Sequence, residues 1–113
     1  MSLTKLSEKD RDIILQCLNA VAKGNFLEHE HHSRLGLELS ELEQITVAYP
    51  EIDDTNDDSN ETLAINNCLN EVSYGIRFTD GEWNRWFTVN REEVVEVYRK
   101  WAKLRGWERS GII

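Results

Sequence analysis

An all-α fold, a small bundle of four to five amphipathic helices, is predicted by three observations. Apolar residues recur at i, i+3, i+4 and i+7 in the longest patterned segments. Capping residues and glycines bracket those segments. No segment alternates apolar and polar residues strongly enough to read as a half-buried strand. The chain of 113 residues, 40% hydrophobic with a single proline, is long enough for one core and too short for two. Residues 1–113 therefore read as a single helical domain, and no repeat at a period of 20–50 residues argues for a solenoid.

Ser7 is placed to cap a first helix over residues 8–23. Ile14, Cys17, Leu18 and Val21 form its apolar stripe, and Gly24 is expected to end it in the left-handed conformation. Residues 25–36 fit either a short helix or an irregular loop, because Glu28 to Arg34 is wholly polar and Gly36 breaks the segment. Ser40-Glu41-Leu42-Glu43 reads as a capping box, with Leu42, Ile45 and Tyr49 on one stripe. Pro50 disfavours helix at the residue before it, so a short helix is predicted over 41–48.

Residues 51–60 hold one apolar residue among side chains that bond their own backbone, the signature of a solvated loop. Asp58 or Ser59 then caps a helix over 60–73, with Ile65, Cys68, Leu69 and Val72 as its stripe and Gly75 as its stop. Between 76 and 89 two signals compete. Asp80-Gly81 is a good hairpin turn, yet Trp83, Trp86 and Phe87 fall at helical spacing, which favours a turn and a short helix. The last helix is the best marked. Asn90 and Glu93 cap it, Val89 and Val94 staple it, Val94, Val97, Tyr98, Trp101 and Leu104 form its stripe, and Gly106 stops it. The expected core is Ile14, Cys17, Leu18, Val21, Leu42, Ile45, Ile65, Leu69, Val72, Trp86, Val97 and Trp101.

No run approaches the roughly 18 apolar residues of a membrane span, and the start lacks the apolar centre of a signal peptide, which points to the cytoplasm. Cys17 and Cys68 sit on apolar stripes and read as buried thiols rather than as a disulfide or metal site. There is no Gly-rich phosphate loop and no Gly-x-Ser-x-Gly elbow, so no cofactor and no catalytic nucleophile are implied.

Charge is distributed unevenly. Residues 28–72 carry twelve acids against the single Arg34, whereas the segments on either side are slightly basic, within a net charge of −8. An acidic middle repels a phosphate backbone and attracts a basic protein surface. Trp83, Trp86, Phe87, Trp101 and Trp107 interleave with basic residues in the last third, as in single-strand binders, but nucleic acid is disfavoured by the overall charge. The expectation is a non-catalytic acidic protein-binding module, inhibitor- or immunity-like in architecture, that meets a basic protein partner. Its expected contact set is Glu38, Glu41, Glu43, Tyr49, Glu51, Asp53, Asp54, Asp57, Asp58 and Glu61, with Tyr49 as the aromatic anchor and the carboxylates setting rate and orientation.

Four rival readings rest on particular residues. In Glu28-His29-Glu30-His31-His32, His29 and His32 stand one helical turn apart and are weak metal candidates, but the spacing lacks a complete His-Glu-x-x-His. A calcium loop begun at Asp54 finds Asn56 and Asp58 in place, but Ser59 where glycine is needed and Ile65 where glutamate is needed. Glu38-x-x-Glu41 followed by Glu51-x-x-Asp54 resembles the paired carboxylates of all-α nucleotide pyrophosphohydrolases. That resemblance implies magnesium held against a triphosphate, although here the pairs are close and Pro50 precedes the second. Finally Trp107, Ile112 and Ile113 form an apolar tail that either docks on the bundle or joins two copies as a homodimer of regulatory type.

Overall fold

In the computed structural model, which describes residues 2–28 and 30–107, four polar side chains begin four helices. Ser7 Oγ accepts from the Asp10 amide at 3.1 Å, Ser59 Oγ from Thr62 at 3.2 Å, Thr79 Oγ1 from Glu82 at 3.2 Å and Asn90 Oδ1 from Glu93 at 2.9 Å. Each satisfies an amide that a helix start leaves without a partner. The helices they open are α1 (Glu8–Lys23), α4 (Asn60–Asn70), α5 (Asp80–Trp86) and α6 (Arg91–Leu104). Two more lie between α1 and α4, namely α2 (His31–Leu35) and α3 (Leu39–Ala48), and a 3₁₀ turn at Leu3–Lys5 precedes α1. The described residues contain no strand, and the protein is an all-α bundle.

α1 is the centre of the packing, in contact with α3, α4, α5 and α6. Ile14, Cys17, Leu18 and Val21 are fully buried along it and meet the buried faces of α3 (Leu42), α4 (Ile65, Leu69) and α6 (Val97, Trp101). The Cα radius of gyration, 12.9 Å, is that of a collapsed chain of this length. No helix among the described residues is long and apolar enough to cross a membrane.

The departures from the expected elements have local causes. Six α-helices are present among the described residues rather than four or five, because α2 and α5 are only five and seven residues long. At 76–89 the favoured short helix is present and the competing hairpin is not. Glu82 Oε1 accepts the Thr79 amide at 2.9 Å while Thr79 caps Glu82, so Asp80 and Gly81 become a first helical turn. α3 starts earlier than expected, because Glu41 Oε1 accepts the Glu38 amide at 3.1 Å and leaves Ser40 inside the helix.

The end of α1 also differs: Gly24 is right-handed (φ −82), and Asn25 (φ 59) takes the left-handed conformation. α4 does not run to residue 73 as regular helix. It widens into a π turn over Glu71–Gly75, closed by the Ile76 amide on the Glu71 carbonyl at 2.8 Å. Of the expected core every residue but Trp86 is buried; Trp86 lies half-buried against the cluster, its ring edge-on to Phe26 at 6.5 Å.

Candidate functional site

The acidic segment between α3 and α4 is a self-bonded loop. Asp53 Oδ1 accepts from the Thr55 hydroxyl at 2.6 Å and the Thr55 amide at 2.8 Å, and these bonds hold the Asp53 carboxyl below its ordinary pKa. Asn56 Oδ1 accepts the Asp58 amide at 2.8 Å, and the Asn56 carbonyl accepts the Thr62 hydroxyl at 2.7 Å. The loop returns the chain to the start of α3, where Asn60 Nδ2 donates to Glu41 Oε2 at 3.0 Å. Glu41 thus joins the first turns of α3 and α4 with its two oxygens.

Beneath the loop lies a charged anchor that was expected on the surface. Asp54 has no exposed area at all. Its Oδ2 accepts the Trp101 indole N–H at 3.1 Å and Arg105 Nη1 at 3.3 Å; Arg105 also donates to the Asp54 carbonyl and pairs with the Asp57 carboxylate. The Arg105 guanidinium lies over the rings of Trp101 and Trp107, 5.1 and 5.0 Å from their centroids. A buried carboxylate is tolerated only with such a partner set, so Asp54 is structural and leaves the proposed contact set.

Tyr49 leaves it too. The residue is buried, and its hydroxyl donates to the Arg11 carbonyl at 2.8 Å across the bundle. Burial pushes its phenol well above the ordinary range. It is therefore a packed strut and not an exposed aromatic anchor.

The other eight residues remain at least partly exposed: Glu38, Glu43, Glu51, Asp53, Asp57 and Asp58 are exposed, and Glu41 and Glu61 are half-exposed. Of these, Asp57 has Arg105 as a partner; Glu38, Glu43, Glu51, Asp53, Asp58 and Glu61 form no ion pair among the described residues. The arrangement can hold ammonium or guanidinium groups of another surface, and its loop portion is held in place before contact.

The paired-carboxylate alternative is not assembled. Asp54 is committed to Arg105 and Trp101, and Glu41 to the starts of α3 and α4. Among the described residues no three His, Cys, Asp or Glu side chains come together as a metal site requires. His29 lies outside the described residues; His32 is exposed, and His31 is buried with Nε2 at 3.4 Å from the Val21 carbonyl.

The aromatic residues of the last third mostly face inward. Trp83 stacks on Phe87 at 4.2 Å and donates its indole N–H to the Val89 carbonyl, while Trp101 is core. The tail begins docked: Gly106 is left-handed (φ 77), the Trp107 amide reaches the Ala102 carbonyl at 2.8 Å and its ring meets Trp101 edge-on at 5.4 Å. Ile112 and Ile113 lie outside the described residues.

Two features were not foreseen from the sequence. The first is the Asp54–Arg105 anchor, whose members lie 51 positions apart and carry no local signal of pairing. The second is a shallow groove of about 1120 Å³ between the π turn and α6, walled by Tyr74 and by charged residues of α6. Comparison of the chain with protein-family models, with curated proteins and with solved structures gives no match.

Proposed function

We propose that the protein is a non-catalytic binding module that presents its acidic face to a basic protein partner, in the manner of small inhibitor or immunity bundles. The observation that supports this most is the preorganisation of the 51–61 loop over the Asp54–Trp101–Arg105 anchor. Carboxylates on a mobile loop serve solubility, whereas those carried on a backbone held by internal bonds present a fixed surface when a partner arrives, and Asp53 and Asp57 are themselves held by Thr55 and Arg105. Their field steers a basic surface into contact and sets its orientation. The whole chain is taken as one unit in this reading. A reducing, cytoplasmic setting goes with it, since Cys17 and Cys68 are free and buried.

The test uses only carboxylates that the fold does not need: Glu43→Gln, Glu51→Gln, Asp53→Asn and Asp58→Asn combined. Asn at 53 keeps an oxygen for the Thr55 bonds. The expected outcome is a basic protein captured from native lysate by the wild type. Its association rate with the quadruple variant should fall at least about tenfold at low salt and lose most of its salt dependence. Equal capture and equal rates for both forms would overturn the reading.

A further inference from the structure

α6 has two faces. At 100° per residue Val94, Val97, Tyr98 and Trp101 point into the core, and Glu92, Glu96, Arg99 and Lys103 fall together on the opposite side. All four are exposed, and none makes a side-chain hydrogen bond or ion pair among the described residues. Acids in the first half and bases in the second complement the helix dipole, and Glu96 and Arg99 stand at i,i+3 with opposite charge. Glu92 and Glu96 are like charges at i,i+4, and so are Arg99 and Lys103, a spacing at which like charges repel. Lys100, the natural i+4 partner of Glu96, is turned to Asp10 at 3.4 Å instead.

The acids occupy the first half of the stripe and the bases the second, so the stripe is complementary to itself when reversed. Beside it the π turn holds Tyr74 out, 53% exposed, next to half-buried Val95 along the same groove. We propose that this face receives a second copy of the chain, the two α6 helices lying antiparallel across a two-fold axis. Glu92 then stands opposite the partner's Lys103 and Glu96 opposite the partner's Arg99, and symmetry repeats both pairs. Val95 and Tyr74 of each copy supply apolar area beside the charges. Association converts both repulsive like-charge pairs into neighbours of opposite sign.

A second copy fits better than an anionic ligand. Arg91, Arg99, Lys100 and Lys103 would attract a phosphate or an acidic peptide, but Glu92 and Glu96 share the same groove and repel it. A surface with both signs in reversed order is needed, and α6 itself is such a surface. One helix face covers less than the roughly 1,600 Å² of a standard interface, so the dimer is weak and salt-sensitive. The stripe lies opposite the buried face of α6 that carries Trp101, so this pairing is independent of the acidic loop.

Sedimentation velocity on the full chain up to about 1 mM, where a millimolar Kd still registers, reads the outcome. Three samples are compared: wild type, Glu92→Lys/Glu96→Arg, and Arg99→Glu/Lys103→Glu. The wild type should dimerise, each reversed variant should be monomeric, and their equimolar mixture should dimerise again. That dimer should weaken about tenfold between roughly 0.05 and 0.5 M salt. Reconstitution in the mixture requires both variants to be folded. A monomeric wild type, a monomeric mixture, or variants that keep the wild-type mass would each overturn the proposal. So would a dimer that survives both reversals and disappears when residues 107–113 are removed.

Discussion

Asp53 and Asp54 are neighbours in the chain and meet opposite environments. Asp53 is exposed and folded back onto Thr55, and it forms no ion pair among the described residues. Asp54 is sealed under the same loop, with an indole N–H and a guanidinium as partners. The pair shows what decides the role of an acidic residue. On the surface a carboxylate costs little and acts at a distance through its field. In the interior it needs partners of its own: Asp54 Oδ2 has Trp101 and Arg105, while Oδ1 makes no hydrogen bond among the described residues. Loss of the carboxylate would leave Arg105 with Asp57 alone as its ion-pair partner among them. One loop therefore carries both a buried anchor of the fold and a run of exposed carboxylates.

The sharpest way to break this contrast is to attack the anchor. Trp101→Ala empties a fully buried site and removes the indole donor, and should cost about 4 kcal/mol in urea denaturation. Arg105→Met keeps much of the side-chain volume but leaves Asp54 buried without its cation, and about 3 kcal/mol should be lost. Adding Asp54→Asn to Arg105→Met should recover part of that loss. Simple additivity of the two substitutions would show that the residues do not act as a pair.

Glu71 tests a second interior carboxylate. It pairs with Arg34, yet burial outweighs that pairing and raises its pKa above the ordinary 4.5. A carboxyl whose folded pKa is raised stabilises the fold fully below its unfolded pKa, and that contribution is lost as pH rises through the folded value. The stability difference between wild type and Glu71→Gln should therefore shift against the wild type as pH climbs from about 4.5. A pH-independent difference would remove burial as the dominant influence on Glu71.

The smallest stability effect belongs to the surface. Each of Glu43→Gln, Glu51→Gln, Asp53→Asn and Asp58→Asn should change unfolding free energy by no more than about 0.5 kcal/mol. A larger loss at any of them would move that residue into the structural class with Asp54. The thiols give a yes-or-no reading of the same interior. Cys17 and Cys68 are fully buried and burial pushes both thiols up, so a thiol reagent should label neither in the native state and both after denaturation.

How much of this was legible follows from the range of each signal. The limits of α1 at 8 and 23, the Asn90 cap and the Gly106 stop of α6 were readable because caps, staples and stops act within a few residues. α2, α5 and the π turn were read only as alternatives or as continuous helix, since five to seven residues carry too few periods to separate from turns. In the contact set, the exposed carboxylates were readable as a dense acidic run. Asp54 and Tyr49 were misassigned because nothing near them in the chain announces a partner: Arg105 is 51 positions away from Asp54, and the Arg11 carbonyl is 38 from Tyr49.

Local chemistry thus determined the helical class, the main helices and the acidity of the middle of the chain, because propensity, capping and net charge depend on residue type and short spacing. Tertiary packing alone decided which acids face water and which are matched inside. It also set the unpaired charges of α6 beside Tyr74. Burial and pairing are properties of surfaces brought together from distant parts of the chain, and their free energies arise only once those surfaces meet.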